Sequence, residues 1–568
     1  MRTKPQAESL PLSALDQIAP RIYVRLVFSF KIEEDFQTEI AHMYLREQFS
    51  MLAMRYPFLL GHIKPTQSGR NELELTHPVI DTNNLDPESY KALFDYQKIS
   101  RLGPNGYDYS RLSNMGMPPF FMDKDVLSLS PTHPQAGEAC PVFTLRITET
   151  IGGLFLCFST HHSVCDGGFI KTLLEFFAEG YTTTTEDDVS ECFEADYLMR
   201  PSLKDHEKVS VEWTDFDELA MSPDTELKTA ATEEDSSLDS EMSSTTESAS
   251  ITGPSSASSS VAGPSVAGPS SAGPSSAGPS SAGPSSAGPS SAGPSSASIS
   301  VASSSVVGPY IDPYIRSASP VSCRIMRITN TRLECLYTQV MSHIRHKDLD
   351  QFVSKTDTLC AMTWVHVTQS RFPHLNITDK TTFTTAVDIR KQLNFNSSAW
   401  GNLYTQTAAH STVGQLLQLT DTGEFPTGHT ELVASIADAA VLIRKAIERV
   451  KQPDYVSKRI SLASKLEDPM EAGDMSKEML QPDHAGLGCS VWTHMGGDVD
   501  FKIPGTTRGK ADFVRKTYSA NEGSMNILPR REVTKGNALW EILLTLRVED
   551  MQRLINRDGM AQWAKYYC

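Results

Sequence analysis

Apolar and polar side chains alternate through YVRLVFSFKI, residues 23 to 32, in the period of two that puts successive side chains on opposite faces of a strand. In the following stretch, TEIAHMYLREQFSMLAMRYPFLLGHI, the residues Ile40, Met43, Leu45, Phe49, Leu52 and Met54 recur at near-helical spacing. Pro57 ends that pattern, because proline lacks the N–H that a helical turn requires. PVFTLRITET and GLFLCFSTHH read as two strands joined by a turn at Gly152 and Gly153, and FIKTLLEFFAEG reads as a short amphipathic helix stopped by Gly180. The same mixture returns near the other end. DTLCAMTWVHVTQSRF and TELVASIADAAVLIRKAIERV have helical patterns, while TTFTTAVDIR and ALWEILLTLRV read as strands. A mixed α/β (α+β) fold is expected, with two halves that each carry a largely antiparallel sheet.

Between the halves the pattern disappears. From Gly253 to about Ala297 the chain repeats a five-residue unit, GPSSA, preceded by an acidic run rich in Ser and Thr. With no large apolar side chains to bury, such a segment cannot offset its conformational entropy and is expected to be disordered. The organisation read from the chain is an N-terminal domain at 1–204, a linker at 205–318 and a C-terminal domain at 319–568.

The formal charge of −18 changes meaning once it is located. Residues 181–250 hold 20 acidic against 4 basic residues, which leaves the two halves close to neutral. Nothing resembles a basic nucleic-acid face, and no nucleic-acid partner is expected. The nine cysteines are scattered singly without a C-x-x-C pair, which fits reduced thiols in the cytoplasm better than a disulfide framework or a zinc site. No run approaches the roughly 20 apolar residues that span a bilayer, so no membrane association is expected.

One stretch stands apart: STHHSVCDGGF, residues 159 to 169, directly after an apolar run. His162 and Asp166 lie on a turn that starts where a buried strand stops, and a strand can hold an imidazole rigidly at its end. Histidine is the usual general base near neutral pH, and a nearby aspartate can brace the loop. The same spacing is also compatible with a purely structural turn. A metal site would need at least a third ligand, which no H-E-x-x-H or cysteine cluster supplies. Cys165 beside an apolar strand reads as core rather than nucleophile. The G-x-S-x-G elbow, the P-loop and the Rossmann glycine pattern are missing.

HHSVCDG resembles the H-x-x-x-D-G signature of the BAHD acyltransferases, which are CoA-dependent. VDIRKQL followed by AWGNLY is similar to that family's D-x-R and G-N segments, and GGDVDFKIPGTTRGKADFVRK to its late D-F-G-W-G region. Further likeness lies in LSALDQIAPRIYVRLVFSF, in VSKTDTLCAMTWVHVTQSR and in SMNILPRRE with LWEILLTLRVEDMQRL. Together these cover roughly residues 10–200 and 320–565. The resemblance is greatest to a fungal branch similar to trichothecene O-acetyltransferases.

The resemblance implies two similar mixed-sheet domains of the chloramphenicol acetyltransferase-like type with a channel between them. It implies acetyl-CoA as co-substrate, no tightly bound cofactor, and a hydroxyl of a fungal terpenoid or alkaloid as acceptor. His162 would remove the hydroxyl proton in a ternary complex. Asp166 would brace the loop by pairing with Arg390, and Gly167 would keep the turn tight. Asp500 stands where D-F-G-W-G begins, but Lys502, Ile503 and Pro504 depart from that pattern. Ser490 and Trp492 match a segment near the acyl and CoA site, with a sheet residue and a core aromatic as the alternative. The competing readings are a condensation-type enzyme fed by a carrier protein and a non-enzymatic binding protein on the same fold. A monomer is expected.

Overall fold

The computed structural model describes residues 7–68, 70–79, 85–103, 106–135, 137–180, 203–216, 219, 320–347, 351–419, 428–473, 484–532, 538–556 and 558–568. The GPSSA repeat lies outside them. All described residues belong to one compact unit.

The first half supplies four strands of a five-stranded sheet, β2 (Tyr23–Lys31), β5 (Phe94–Lys98), β7 (Phe143–Thr150) and β8 (Gly153–His161), which β13 (Phe513–Lys516) completes in the order β13-β2-β8-β7-β5. β8 lies at its centre and every one of its residues is buried, which explains its nearly continuous apolar sequence. Thr150 pairs with Gly153, so the hairpin turns on Ile151 and Gly152 rather than on both glycines. Gly152 takes a φ of 76°, open to a residue without Cβ.

Two helices cover one face of this sheet, α2 (Thr38–Arg55) and α3 (Gly167–Glu179). Leu26, Phe28 and Phe158 of the sheet meet Leu45, Phe49, Phe169 and Phe177 there in one core. On α2 the buried stripe is Ala41, Leu45, Gln48, Phe49, Leu52 and Ala53. Ile40 and Met43, expected on that face, are exposed by 46% and 60%. At about 100° per residue both point well away from Ala41, so the alanine and not its larger neighbours faces the sheet.

A small sheet flanks this region, formed by β1 (Ala7–Leu10), β3 (His62–Pro65), β4 (Leu73–Pro78) and β6 (Cys140–Pro141) in the order β1-β4-β3-β6.

The second half is centred on seven strands: β9 (Val321–Ile328), β10 (Lys380–Asp388), β11 (Tyr404–Thr412), β12 (Leu487–Val491), β14 (Ser524–Ile527), β15 (Trp540–Arg547) and β16 (Lys565–Tyr566). Their order is β11-β10-β12-β14-β15-β9-β16. β12 is parallel to both neighbours, so this sheet is more mixed than expected. Parallel strands need a long connection, and the chain from β10 to β12 supplies one through β11 and two helices, α6 (His429–Val450) and α7 (Tyr455–Lys465). The other helices of this half that matter here are α4 (Asn330–His346) and α5 (Lys355–Arg371). Helices α4, α5 and α6 share one core with the sheet. α5 is buried nearly all round, with Thr358, Thr363, Thr368 and Arg371 inside, which blurs any amphipathic pattern.

Two features cross the division read from the chain. β13 comes from the second half yet pairs antiparallel with β2 of the first. Within the expected linker, Val211, Trp213, Phe216 and Leu219 are buried in a cluster with Tyr455, Val456 and Ile460. The aromatic groups of this short segment provide the apolar area that the Ser and Thr run after it lacks. Among the described residues no helix is long and apolar enough to cross a membrane.

Candidate functional site

β8 delivers the chain to His162, and α3 begins five residues later. Asp166 is the N-cap of α3: its Oδ1 accepts from the backbone N–H of Phe169 at 2.9 Å. The same carboxylate receives Arg390 as a fork, with Nη2 donating to Oδ1 at 2.7 Å and Nη1 to Oδ2 at 2.9 Å. The backbone N–H of Leu403 adds a fourth bond to Oδ2 at 2.9 Å. Arg390 also donates through Nη2 to the carbonyl of Ala399 at 2.9 Å and through Nη1 to Asp388 at 3.1 Å. Burial opposes the charge of Arg390, but Asp166 and Asp388 together outweigh it and raise its pKa. The sequence segments HHSVCDG and VDIR are thereby clamped to each other.

The glycines after Asp166 are required by space rather than by turn conformation. A Cβ on Gly168 would stand 2.6 Å from Arg390 Nη1, and one on Gly167 would stand 2.4 Å from the terminal methyl of Met495. Neither glycine has a positive φ.

His162 is half-buried, and its backbone N–H donates to the carbonyl of Ile22 at 2.8 Å. Its Nδ1 lies 3.2 Å from Oδ1 of Asn402. Asn402 is fully buried, and its Nδ2 and backbone N–H both donate to Oδ1 of Asp16, at 3.1 and 2.8 Å. An amide whose NH₂ group faces a carboxylate turns its oxygen the other way, and an oxygen beside Nδ1 of His162 favours the tautomer with the proton on Nδ1 and the lone pair on Nε2. Burial lowers the pKa of His162 from the ordinary 6.5; its own backbone, Asp166 and Asn402 oppose that only in part. A neutral imidazole with a free Nε2 is a competent proton acceptor near pH 7.

The neighbours of His162 are poor candidates for the same task. His161 is buried edge-on against Tyr23, and its Nδ1 accepts from the backbone N–H of Ser163 at 3.2 Å. Burial, with His162 and Arg21 adding to it, pushes its pKa down to about 3. Burial and the nearby Asp166 and Asp16 hold the Cys165 thiol well above its ordinary pKa, so it is no thiolate nucleophile. The Tyr404 ring lies 5.5 Å from that of His162, and burial raises the pKa of its phenol.

The remaining residues singled out in the sequence lie elsewhere in the fold. Ser490 is exposed on β12, beside Asn526 of β14. Trp492 packs partly buried between two clusters, with Lys516 Nζ 6.0 Å from its ring centre. Asp500 organises its own loop: it accepts from the N–H of Lys502 at 3.1 Å, and a Cβ on Gly509 would lie 1.9 Å from its Oδ1. Neither Asp500, Ser490 nor Trp492 joins the His162 cluster by a hydrogen bond. His162 is not among the residues that line the cavities of about 290 and 210 Å³. Among the described residues no group of His, Cys, Asp and Glu could hold a metal ion.

Asp16 and Asn402 were not singled out in the sequence. Both sit in segments that carry the family resemblance, LSALDQ and AWGNLY, but no local pattern links positions 386 residues apart.

A mixed α/β fold with a histidine and a clamped aspartate at a strand-to-helix turn narrows the class, and comparison with known proteins gives the family. The Transferase family model matches residues 122–559, and the chain belongs to that family. A second model, the trichothecene 3-O-acetyltransferase-like N-terminal domain, matches residues 22–179. Eremophilane O-acetyltransferase prx11 of Penicillium rubens is 25% identical over 177 residues, 31% of this chain and 36% of that protein. Acyltransferase easC of Emericella nidulans is 28% identical over 177 residues, 31% and 35% of the two chains. The matched segment thus spans about a third of these relatives. The structure of F. graminearum TRI101 complexed with coenzyme A and deoxynivalenol is similar with a TM-score of 0.67 at 16% identity, covering 99% of this chain and 100% of that one. F. sporotrichioides TRI101 complexed with coenzyme A and T-2 gives 0.63, also at 16% identity and with the same coverage. At such identity the likeness is one of fold, and it bears out the architecture expected from the BAHD resemblance.

Proposed function

We propose that this protein is a CoA-dependent O-acetyltransferase that acts on a hydroxyl of a fungal secondary metabolite, with His162 as general base. The observation that carries the reading is the His162 imidazole, its Nδ1 3.2 Å from Asn402 Oδ1, on a turn held by Asp166 and Arg390. In this reading Nε2 takes the proton of the acceptor hydroxyl as its oxygen attacks the thioester carbonyl. Collapse of the tetrahedral intermediate breaks the carbon–sulfur bond, and the proton held by His162 passes to the departing CoA sulfur. No acyl-enzyme forms, consistent with a Cys165 thiol that stays protonated.

Support for acetyl transfer comes from the match to the trichothecene 3-O-acetyltransferase-like domain and from relatives named O-acetyltransferases. Coenzyme A as the donor's carrier is supported by the folds of neighbours crystallised with it. Ser490 and Trp492 are proposed to face the CoA side, and Asp500 to hold the loop beside it. The proposal includes a monomer, and a cytoplasmic location on the strength of eight described cysteines that are all unpaired. It also keeps a linker between two halves that together form the site.

The test is mass spectrometry of extracts from the producing organism, comparing the unaltered strain with one carrying His162→Ala at matched protein abundance. The expected result is loss of one metabolite and accumulation of a precursor lighter by one acetyl group. An unchanged profile with the protein present would overturn the reading. Acyl transfer only from a carrier protein and never from free acetyl-CoA would replace it with condensation-type chemistry.

A further inference from the structure

We infer that Asp16, at the far N-terminal end of the fold, is a positioning residue that fixes the proton-accepting tautomer of His162 through the side-chain amide of Asn402; this rests on His162 being the base. Asp16 belongs to a single helical turn, α1 (Ala14–Gln17), and is fully buried. Its Oδ2 accepts from the backbone N–H of Ser13 at 2.8 Å and from Ser13 Oγ at 2.7 Å. Its Oδ1 accepts from the backbone N–H and the Nδ2 of Asn402 at 2.8 and 3.1 Å. Both oxygens are therefore engaged, and the carboxylate cannot rotate without losing bonds on one side.

The consequence follows from the two-sidedness of an amide. Asn402 can present either its oxygen or its NH₂ group to His162 Nδ1, and its orientation, beside the bond the ring makes to its own backbone, favours one ring nitrogen as the proton's carrier. With NH₂ toward the imidazole, Nδ1 would accept, Nε2 would be protonated, and the base would lose its lone pair. That orientation would also point the Asn402 oxygen at the Asp16 carboxylate, two acceptors facing each other in a buried site. The Asp16 carboxylate, already accepting at both oxygens, disfavours it. Ser13, Asp16, Asn402 and His162 thus form one directional chain of hydrogen bonds, whose polarity is set by the member that can only accept. A role limited to capping α1 would not need Oδ1 on Asn402, since Ser13 uses Oδ2 alone.

The test pairs Asp16→Asn with the unaltered protein and with His162→Ala, using full-length chains labelled with ¹⁵N-histidine. Asparagine at 16 offers either an acceptor or a donor to Asn402, so the amide is no longer forced. The expected result is a fall in kcat for acetyl transfer on the order of 10- to 100-fold, with KM for acetyl-CoA nearly unchanged. The His162 ring nitrogens should move from an unprotonated Nε2 toward a mixture of tautomers. Wild-type kcat together with an unchanged tautomer would overturn the inference. If His162→Ala itself turned over at the wild-type rate, the general-base reading would fail instead. Where Asp16→Asn does not fold, Asn402→Ala removes the same constraint; the same tautomer shift is expected, and an unaltered Nε2 signal overturns the inference there too.

Discussion

Arg390 donates to both carboxylate oxygens of Asp166, at 2.7 and 2.9 Å, across 224 residues of sequence, with both side chains almost fully buried. This pair ties the turn that carries His162 to the segment that follows β10, and it does so away from solvent. Breaking one side of such a pair leaves an uncompensated charge inside the protein. Asp166→Ala is expected to lower stability by about 3–5 kcal/mol, read as a lower midpoint in chemical denaturation. Replacing both partners by apolar residues should cost less than the sum of the single changes. Equal additivity would show that the two groups do not depend on each other.

His162→Ala removes the proposed base but no member of the clamp. Acetyl transfer is expected to fall by roughly 10² to 10⁴, while the thermal midpoint falls less than in Asp166→Ala because the clamp stays intact. Initial rates with acetyl-CoA and a purified acceptor measure the first, and calorimetry the second.

The acid side of the pH–rate profile follows from the direction in which burial shifts His162. Its pKa lies below the ordinary 6.5, and the base must be neutral, so kcat/KM should rise through a midpoint below pH 6.5 and then level off. A midpoint at or above 7 would contradict this. His161, at about 3, stays uncharged through that range.

Stability should follow a related course. The unfolded chain takes up a proton at His161 below its ordinary 6.5, whereas the folded chain resists until about pH 3. Folding is then disfavoured progressively as pH falls from 6.5 toward 3, and His161→Gln should flatten part of that decline in a denaturation series.

Gly168→Ala places a methyl group against a guanidinium that is already held by five hydrogen bonds. It should cost about 1–3 kcal/mol and lower activity with it. Gly167→Ala meets only the flexible end of Met495 and should be milder. Thermal melts of the two variants side by side decide the ranking.

The GPSSA repeat contains no large apolar side chain that a core could use. Replacing residues 220–310 with a short Gly/Ser segment is expected to leave folding and turnover intact. The segment 203–219 should not tolerate the same treatment, because Trp213 and Phe216 are buried against Tyr455 and its neighbours. Expression and melting of the two deletions test the contrast.

What the sequence determined by itself is what short stretches of chain decide. β2, the β7–β8 hairpin and α3 follow from periodicity, and the placement of His162 and Asp166 on one turn follows from their spacing after a buried strand. The family resemblance extended that reach to Arg390, because VDIR could be matched although nothing local connects it to residue 166. The tertiary structure decided the rest. β13 leaves its own half to pair with β2, Ala41 rather than Ile40 or Met43 faces the sheet, and the expected linker begins with packed side chains. It also brought Asp16 and Asn402 together beside His162, across 386 residues of sequence. Each of these depends on which surfaces meet after the chain has folded back over hundreds of residues. Local pattern carries no term for that encounter, whereas a buried carboxylate or a packed aromatic is defined by nothing else.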